Sequence, residues 1–454
     1  MNGVSGSLYL RDGQSEALGN TREAPSFLGR MSIPRALVML SYGVVVPFLF
    51  IVLPVKYVGY FLAAVHLVGA IFDPTVCLGN MMAVSLYTSY ALPAWMQVMF
   101  GVIVILSLLF YDIDMLRSLS GILPMFAGIC LVACSAFFGV SSQINTALQM
   151  ALCIVRVVVL YNYSRNDLFR ECLFGYISGG ISLIVIFTLS VVRRTANIMV
   201  YGRLSLFGDI KAMAIAAAIP MMLILCSRLE GKKLYSNIGN PIVDMALTLA
   251  LGLITVLSGA RGLIIGIIIV LVLYFLVVRK NAGAVFFAMM VLVFAYILGN
   301  TLDFSVFRME RFTEVEELMT GNGRTSLWIE FMRYIWNRGV VGILFGVGPG
   351  DIKRLGVASA YAHSCFLDVL FSYGILGFAF VMYFEYVIIR ECIKKRNFLA
   401  FAINAMLIIT YWAHGTATNT AFYSLQVILS KVMSSNAATG TVEEPGNSAC
   451  RYLK

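Results

Sequence analysis

Apolar stretches of spanning length, about 20 residues each, recur from residue 36 to residue 433 and are closed by short polar breaks. The cores fall at 36–53, 57–72, 76–91, 95–111, 121–138, 144–161, 173–192, 210–226, 242–257, 262–278, 282–299, 364–388, 398–413 and 419–433. Runs this long and this uniformly apolar predict helices that are hydrophobic all round, not half-wet strands. The expected fold is all-α: a polytopic transmembrane helix bundle of about 12–14 spans, with Pro74 and Pro93 allowing re-entrant or tilted pieces.

One polar stretch, Thr301 to Ala362, is too long for a turn. Within it, RTSLWIEFMRYIWNR (Arg324 to Arg338) sets Leu327, Phe331, Tyr334 and Arg338 at helical spacing, and Trp328, Met332 and Ile335 widen the apolar stripe. This predicts an amphipathic helix lying on the bilayer surface. GNGR (Gly321 to Arg324) breaks the chain before it and GVGPG (Gly346 to Gly350) turns it afterwards. The loop at 301–362 therefore reads as a folded, helical exoplasmic cap within one transmembrane domain over 33–433. Residues 1–32 and 434–454 carry too little apolar content for a core and are expected to be disordered cytoplasmic tails. The first has no signal-peptide pattern.

Composition agrees with that pattern. The 454 residues are 60% hydrophobic and 12% charged, with mean hydropathy +0.88, whereas soluble domains carry about 25% charge. The nine cysteines sit mostly in apolar runs without a CxxC pair, so they read as packing residues and not as zinc ligands. The net charge of +10 is split among membrane-flanking breaks, which argues against nucleic acid as a partner. No HExxH, P-loop or GxSxG pattern stands in its proper context.

Lys and Arg gather in the breaks with Arg165 and Arg170, Arg228 to Lys233, Arg279 with Lys280, and Arg390 to Arg396, which marks that side as cytoplasmic. The opposite side then receives Arg203, the tight break SGARG with Arg261, the long loop with Arg308, Arg311 and Arg324, and His363 and His414. Arginine is unexpected there. Each could snorkel or pair with a carboxylate, or could hold an anion, because guanidinium offers forked donors that match phosphate oxygens. His363 could anchor a helix start or act on a hydroxyl proton. His66 reads as a hydrogen-bonded core histidine. Arg156 and Asp244, near span ends, read as snorkelled or paired. Asp209, Asp303, Glu310, Glu314, Glu316, Glu317, Glu330 and Asp351 supply acids on the same side as the arginines, mostly as solvated faces or partners. Leu367, Leu370, Gly374 and Gly377 recur at helical spacing behind His363, a face where small residues admit a neighbouring helix.

Four segments, YGRLSLFGDIKAMA (Tyr201 to Ala214), SGARG (Ser258 to Gly262), GNGRTSLW (Gly321 to Trp328) and HSCFLDVLFSYGILGF (His363 to Phe378), resemble in order and sidedness the O-antigen ligase and O-antigen polymerase superfamily. The resemblance covers roughly Arg193 to Phe384. It implies a metal-independent membrane glycosyltransferase of the bacterial inner membrane, acting on its periplasmic side without a cofactor. The implied donor is an undecaprenyl-pyrophosphate-linked oligosaccharide, with membrane lipid and a chain-length regulator as further partners. Carried onto this chain, the family's functional positions fall on Arg203, Arg261, Arg324 and His363. His363 and Arg324 are the expected catalytic pair, and Arg203, Arg261, Arg308 and Arg311 the expected pyrophosphate and glycan ligands.

Two positions depart from the family pattern: Lys211 and Ser364 stand where asparagine is usual. The acceptor separates a polymerase, which extends another lipid-linked repeat, from a ligase, which transfers to lipid A-core. The system-specific loop and the His-Ser pair favour the polymerase. A lipid-linked sugar flippase is the alternative from another class, and it would show broken helices and internal repeats.

Overall fold

The computed structural model describes residues 28, 30–84, 94–111, 119–163, 169–192, 199–200, 203–204, 210–258, 260–278, 280, 283, 324–350, 355, 364–413 and 420–432. The first half comprises α1 (Ile33–Val52), α2 (Val55–Phe72), α3 (Pro74–Ala83), α4 (Ala94–Tyr111), α5 (Leu119–Phe138), α6 (Ile144–Asn162), α7 (Phe169–Cys172) and α8 (Phe174–Val192). A two-residue antiparallel ladder follows, β1 (Met199–Val200) with β2 (Arg203–Leu204), pairing Val200 with Arg203. Then come α9 (Ile210–Leu229), α10 (Pro241–Leu257), α11 (Arg261–Leu273, continued by a π turn over Tyr274–Val278), α12 (Arg324–Asn337), α13 (Gly339–Phe345), α14 (Cys365–Lys394), α15 (Phe398–Ala413) and α16 (Thr420–Lys431).

The hydrophobic pattern is thus realised as a multi-pass, all-α bundle. Apart from residues at the edges of the helices, such as Leu53, Val84, Leu173, Ser364 and Val432, the predicted cores are helical in their described parts; the core at 282–299 lies outside the described residues except for Gly283. Among the described residues, four stretches, Ile33–Phe50, Ile144–Asn162, Phe169–Leu189 and Cys365–Lys394, are long and apolar enough to cross a bilayer unaided, and shorter apolar helices pack among them. Phe110 is 85% and Phe137 83% exposed, which an aqueous surface would penalise and lipid would not. Capping residues set several boundaries. Asp73 accepts from the amides of Thr75 and Val76 ahead of Pro74, and Asn240 accepts from Ile242 ahead of Pro241.

Charges collect at one end of the bundle. Arg35 bridges Asp73 (2.8 Å) and Glu171 (2.6 Å), Tyr235 donates to the Arg170 carbonyl (2.7 Å), and Arg228 clamps Asp244 through two nitrogens. Asp244 is therefore paired, as its position implied. The tail expectation needs correcting at its inner edge. Leu28 and Met31 are buried; the Leu28 amide donates to the Leu234 carbonyl, and Met31 exchanges two hydrogen bonds with the Asn237 side chain. Apolar contact and satisfied backbone hold these residues, although the segment is polar on average.

Candidate functional site

The site is organised by a break in α14. Gly374 has φ 66° and ψ −166° within the helix, a left-handed φ that suits glycine. An unbroken helix would pair the carbonyls of Phe371 and Ser372 with amides four residues on. Here they accept instead from Val347 (2.8 Å) and Gly348 (3.1 Å) of the GVGPG turn. That turn is in turn tied to the α5–α6 connection, where Ser141 donates to the Val347 carbonyl (3.0 Å) and Gln143 to that of Pro349 (2.7 Å). Arg338 fastens the same corner, donating to the carbonyls of Gly346 and Phe138 (3.0 Å each). A methyl group on Gly374 would collide with the Leu344 carbonyl, and one on Gly346 with that of Phe371. The glycine face read as a helix-packing stripe therefore admits, at Gly374, the C-terminal end of the short helix α13.

The break is a fold-back. Tyr423 Oη lies 3.2 Å from Cys365 Sγ, and the Tyr423 ring centroid is 5.9 Å from that of Phe384. Cys365 and Phe384 would be roughly 28 Å apart along a straight helix, beyond the reach of one tyrosine. The first arm (365–373) must therefore run back alongside the second (375–394). The second arm, about 30 Å long, suffices to span the hydrocarbon core. Phe384 sits about 15 Å down it from Gly374, so the first arm begins beside the middle of the second. Sequence alone put this helix start at the membrane surface, and the structure recesses it.

Several candidate segments converge on that recess. The Phe366 ring lies tilted against Trp412, centroids 4.8 Å apart, next to the end of α15. α11 runs antiparallel to α15, with Tyr274 on Phe398 (4.3 Å) and Gly266 facing Met406 and Ile409. That register brings Arg261, the first residue of α11, level with Trp412. β2, which carries Arg203, packs on α10, the helix that leads into Arg261. α12, which begins at Arg324, lies on the first arm through Phe331 against Phe371 (4.1 Å), within a cluster that includes Ile335 and Val347. The amphipathic helix was anticipated; the further seven-residue helix α13 was not. The structure describes the backbone of Arg203, Arg261 and Arg324, whereas Arg308, Arg311, His363 and His414 lie outside the described residues.

Ser364 is fully buried at the N-cap of the first arm, and its hydroxyl neither caps the helix nor has another hydrogen-bond partner among the described residues. The first amides of an α-helix have no partner inside it and carry the positive end of its dipole. Asp368, one turn further on, is also buried, as are Glu385 and Gln426, joined by a 2.9 Å hydrogen bond. Sequence reasoning passed over these three because they look like isolated polar interruptions of apolar helices. Their common signal is a polar side chain inside a span. His66 fills the role expected of it, buried with Nδ1 2.6 Å from the Leu62 carbonyl.

No curated protein matches the chain. Residues 246–382 match the model of the family described as O-Antigen ligase, a span that contains Arg261, Arg308, Arg311, Arg324, His363 and the break at Gly374. Members of that family are membrane glycosyltransferase-like ligases and polymerases. Over residues 246–382, somewhat under a third of this multi-pass chain, the sequence is similar to the O-antigen ligase family.

Proposed function

We propose that the protein is a polysaccharide polymerase at the exoplasmic face of the inner membrane. It moves a glycan from undecaprenyl pyrophosphate to the terminal sugar of a second lipid-linked repeat. The observation that carries this reading is the shared depth of Arg261 and the start of the first arm, both set against Trp412. A lipid pyrophosphate is already an activated leaving group, so the protein must neutralise its developing charge and aim an acceptor hydroxyl. The acceptor oxygen bonds to the anomeric carbon as that carbon's bond to the pyrophosphate oxygen breaks. The electron pair departs with pyrophosphate, held by Arg261, Arg203 and Arg324, with Arg308 and Arg311 along the glycan. The hydroxyl proton passes to His363, which precedes Ser364 at the mouth of the arm. The polyisoprenoid lies in lipid between helices, and the loop covers the sugars.

The family description favours one other acceptor, lipid A-core, which would make the protein a ligase. The break in α14 is also a feature a flippase would show, but the GVGPG turn pins the first arm just ahead of it through two backbone hydrogen bonds, to Phe371 and Ser372. Gel analysis of surface polysaccharide from a deletion strain separates the readings. Single-repeat lipopolysaccharide supports the polymerase. Full-length polymer retained on carrier lipid replaces it with the ligase, and repeats trapped on the cytoplasmic leaflet replace it with the flippase.

A further inference from the structure

Arg156 is the charge that none of this chemistry uses. It lies in α6, about 9 Å from the helix end at Asn162, and is 8% exposed. Snorkelling to a headgroup is therefore excluded by its burial. Pairing fails as well: the guanidinium has no ion pair or hydrogen bond among the described residues, and its Nε is fully enclosed. The ionisable side chains facing it are Cys153, on the same helix one turn earlier, Tyr176 of α8 and Cys77 of α3. All three are neutral and none is a carboxylate counter-charge; the Cys77 thiol donates to the His66 carbonyl (3.4 Å), which leaves the Cys153 thiol and the Tyr176 phenol as donors. α6 packs on α4, α5 and α16, while α3 and α8 pack on each other and on α1. Arg156 thus stands at the seam between two groups of helices, where an uncompensated cation in a low-dielectric interior is strongly unfavourable.

We infer that the seam between α6 and the α3–α8 pair is an anion site, in which the Arg156 fork holds a phosphate-bearing ligand with Tyr176 and Cys153 as neutral donors beside it. The ligand class follows from the donors. A planar guanidinium flanked by hydroxyl and thiol groups complements an oxyanion with several acceptor oxygens, and phosphate oxygens accept two of its nitrogens at once. Such an anion reaches a membrane interior either as a lipid headgroup or as free phosphate or pyrophosphate. The site lies in the half of the bundle nearer Asn162, away from the GVGPG turn, and it stands whether or not the polymerase reading does.

The test is thermal unfolding of the purified full-length chain in an uncharged detergent, with inorganic pyrophosphate or farnesyl phosphate added in separate titrations. The wild type should melt several degrees higher with at least one of them. Arg156→Met should lose that increment and, without ligand, unfold no earlier than the wild type, because it removes a buried charge that has no partner among the described residues. Arg156→Lys covers the case in which Met fails to fold, and should weaken the half-saturating concentration by roughly tenfold, as expected where a point charge replaces a fork. A response to farnesyl phosphate alone assigns a lipid headgroup; an equal response to inorganic pyrophosphate assigns a free anion. Equal shifts in wild type and both variants, or no shift in the wild type, overturn the inference. Loss of polymer in cells does not enter the readout, so failure here and failure of the polymerase reading are told apart.

Discussion

Cys365 and Phe384 rest on the same tyrosine, one against the hydroxyl of Tyr423 and the other against its ring. In this way a helix of 30 residues becomes two antiparallel arms. The first arm, which opens at Ser364 and Cys365, therefore begins beside the middle of the second.

That neighbourhood predicts a crosslink. In membranes, Phe384→Cys should be joined to the native Cys365 by a short bis-maleimide, whereas Tyr386→Cys, exposed on the second arm, should not react with it. A straight helix would leave both variants uncrosslinked.

Gly374→Ala should be severely disruptive. A positive φ with an extended ψ is essentially a glycine conformation and costs about 1–3 kcal/mol for a residue with a Cβ, and the methyl group must also displace the Leu344 carbonyl. Detergent-solubilised Gly374→Ala should melt well below the wild type, or accumulate at a fraction of its abundance. Gly101→Ala, where an added Cβ meets nothing, should not be destabilised.

Sidedness can be read with a membrane-impermeant thiol reagent in outer-membrane-permeabilised cells, using a cysteine-depleted background. Asn337→Cys, exposed on α12, should be labelled and Lys394→Cys, exposed at the end of α14, should be spared. Asn397, in the same break as Lys394, is a poor reporter because it is buried and caps both Val432 and Ala400. Labelling at 394 with protection at 337 would invert the topology and remove the exoplasmic site.

If Arg261 and Arg324 bind pyrophosphate through forked donors, Lys at either position should lower polymer yield about tenfold or more, equivalent to about 1.4 kcal/mol, and Ala should lower it further. Wild-type polymer from Arg261→Lys and Arg324→Lys, at matched membrane abundance, would return both residues to a structural role.

For His363 the decisive comparison is Gln against Ala. Gln keeps a hydrogen bond but is no base near neutral pH. Both variants should bind lipid-linked donor and fail to extend it in a purified assay. Extension by His363→Gln at near the wild-type rate would transfer the base role to an acid, with buried Asp368 joining Asp209 and Asp351 as candidates.

The spans were legible in the sequence because hydropathy at helical length is a local property, and α12 was legible because Phe331 and Ile335 repeat at the helical period. The fold-back was not. Gly374 and Gly377 read equally well as a packing stripe, and a break becomes affordable only when a distant segment satisfies the carbonyls it frees; here Val347 and Gly348 do so from across the loop. For the same reason the sequence grouped the arginines by side but could not set their depth. Arg261 stands level with Trp412 through the register of two helices, and no spacing rule encodes that register. Arg156 was misjudged because closeness to a span end suggests escape to water, which the neighbouring helices close off.

The GVGPG turn makes the cap and the first arm a single spliced part, and this bears on how such proteins can be recombined. Two backbone hydrogen bonds from Val347 and Gly348 complete the arm's interrupted ladder, so a chimera that imports a foreign loop with junctions before Gly346 keeps its host's splice. One that cuts between Pro349 and Gly374 mates a strap with an arm it was not matched to. Exchange of glycan specificity between related systems should therefore succeed when the strap and the arm through Gly374 travel together.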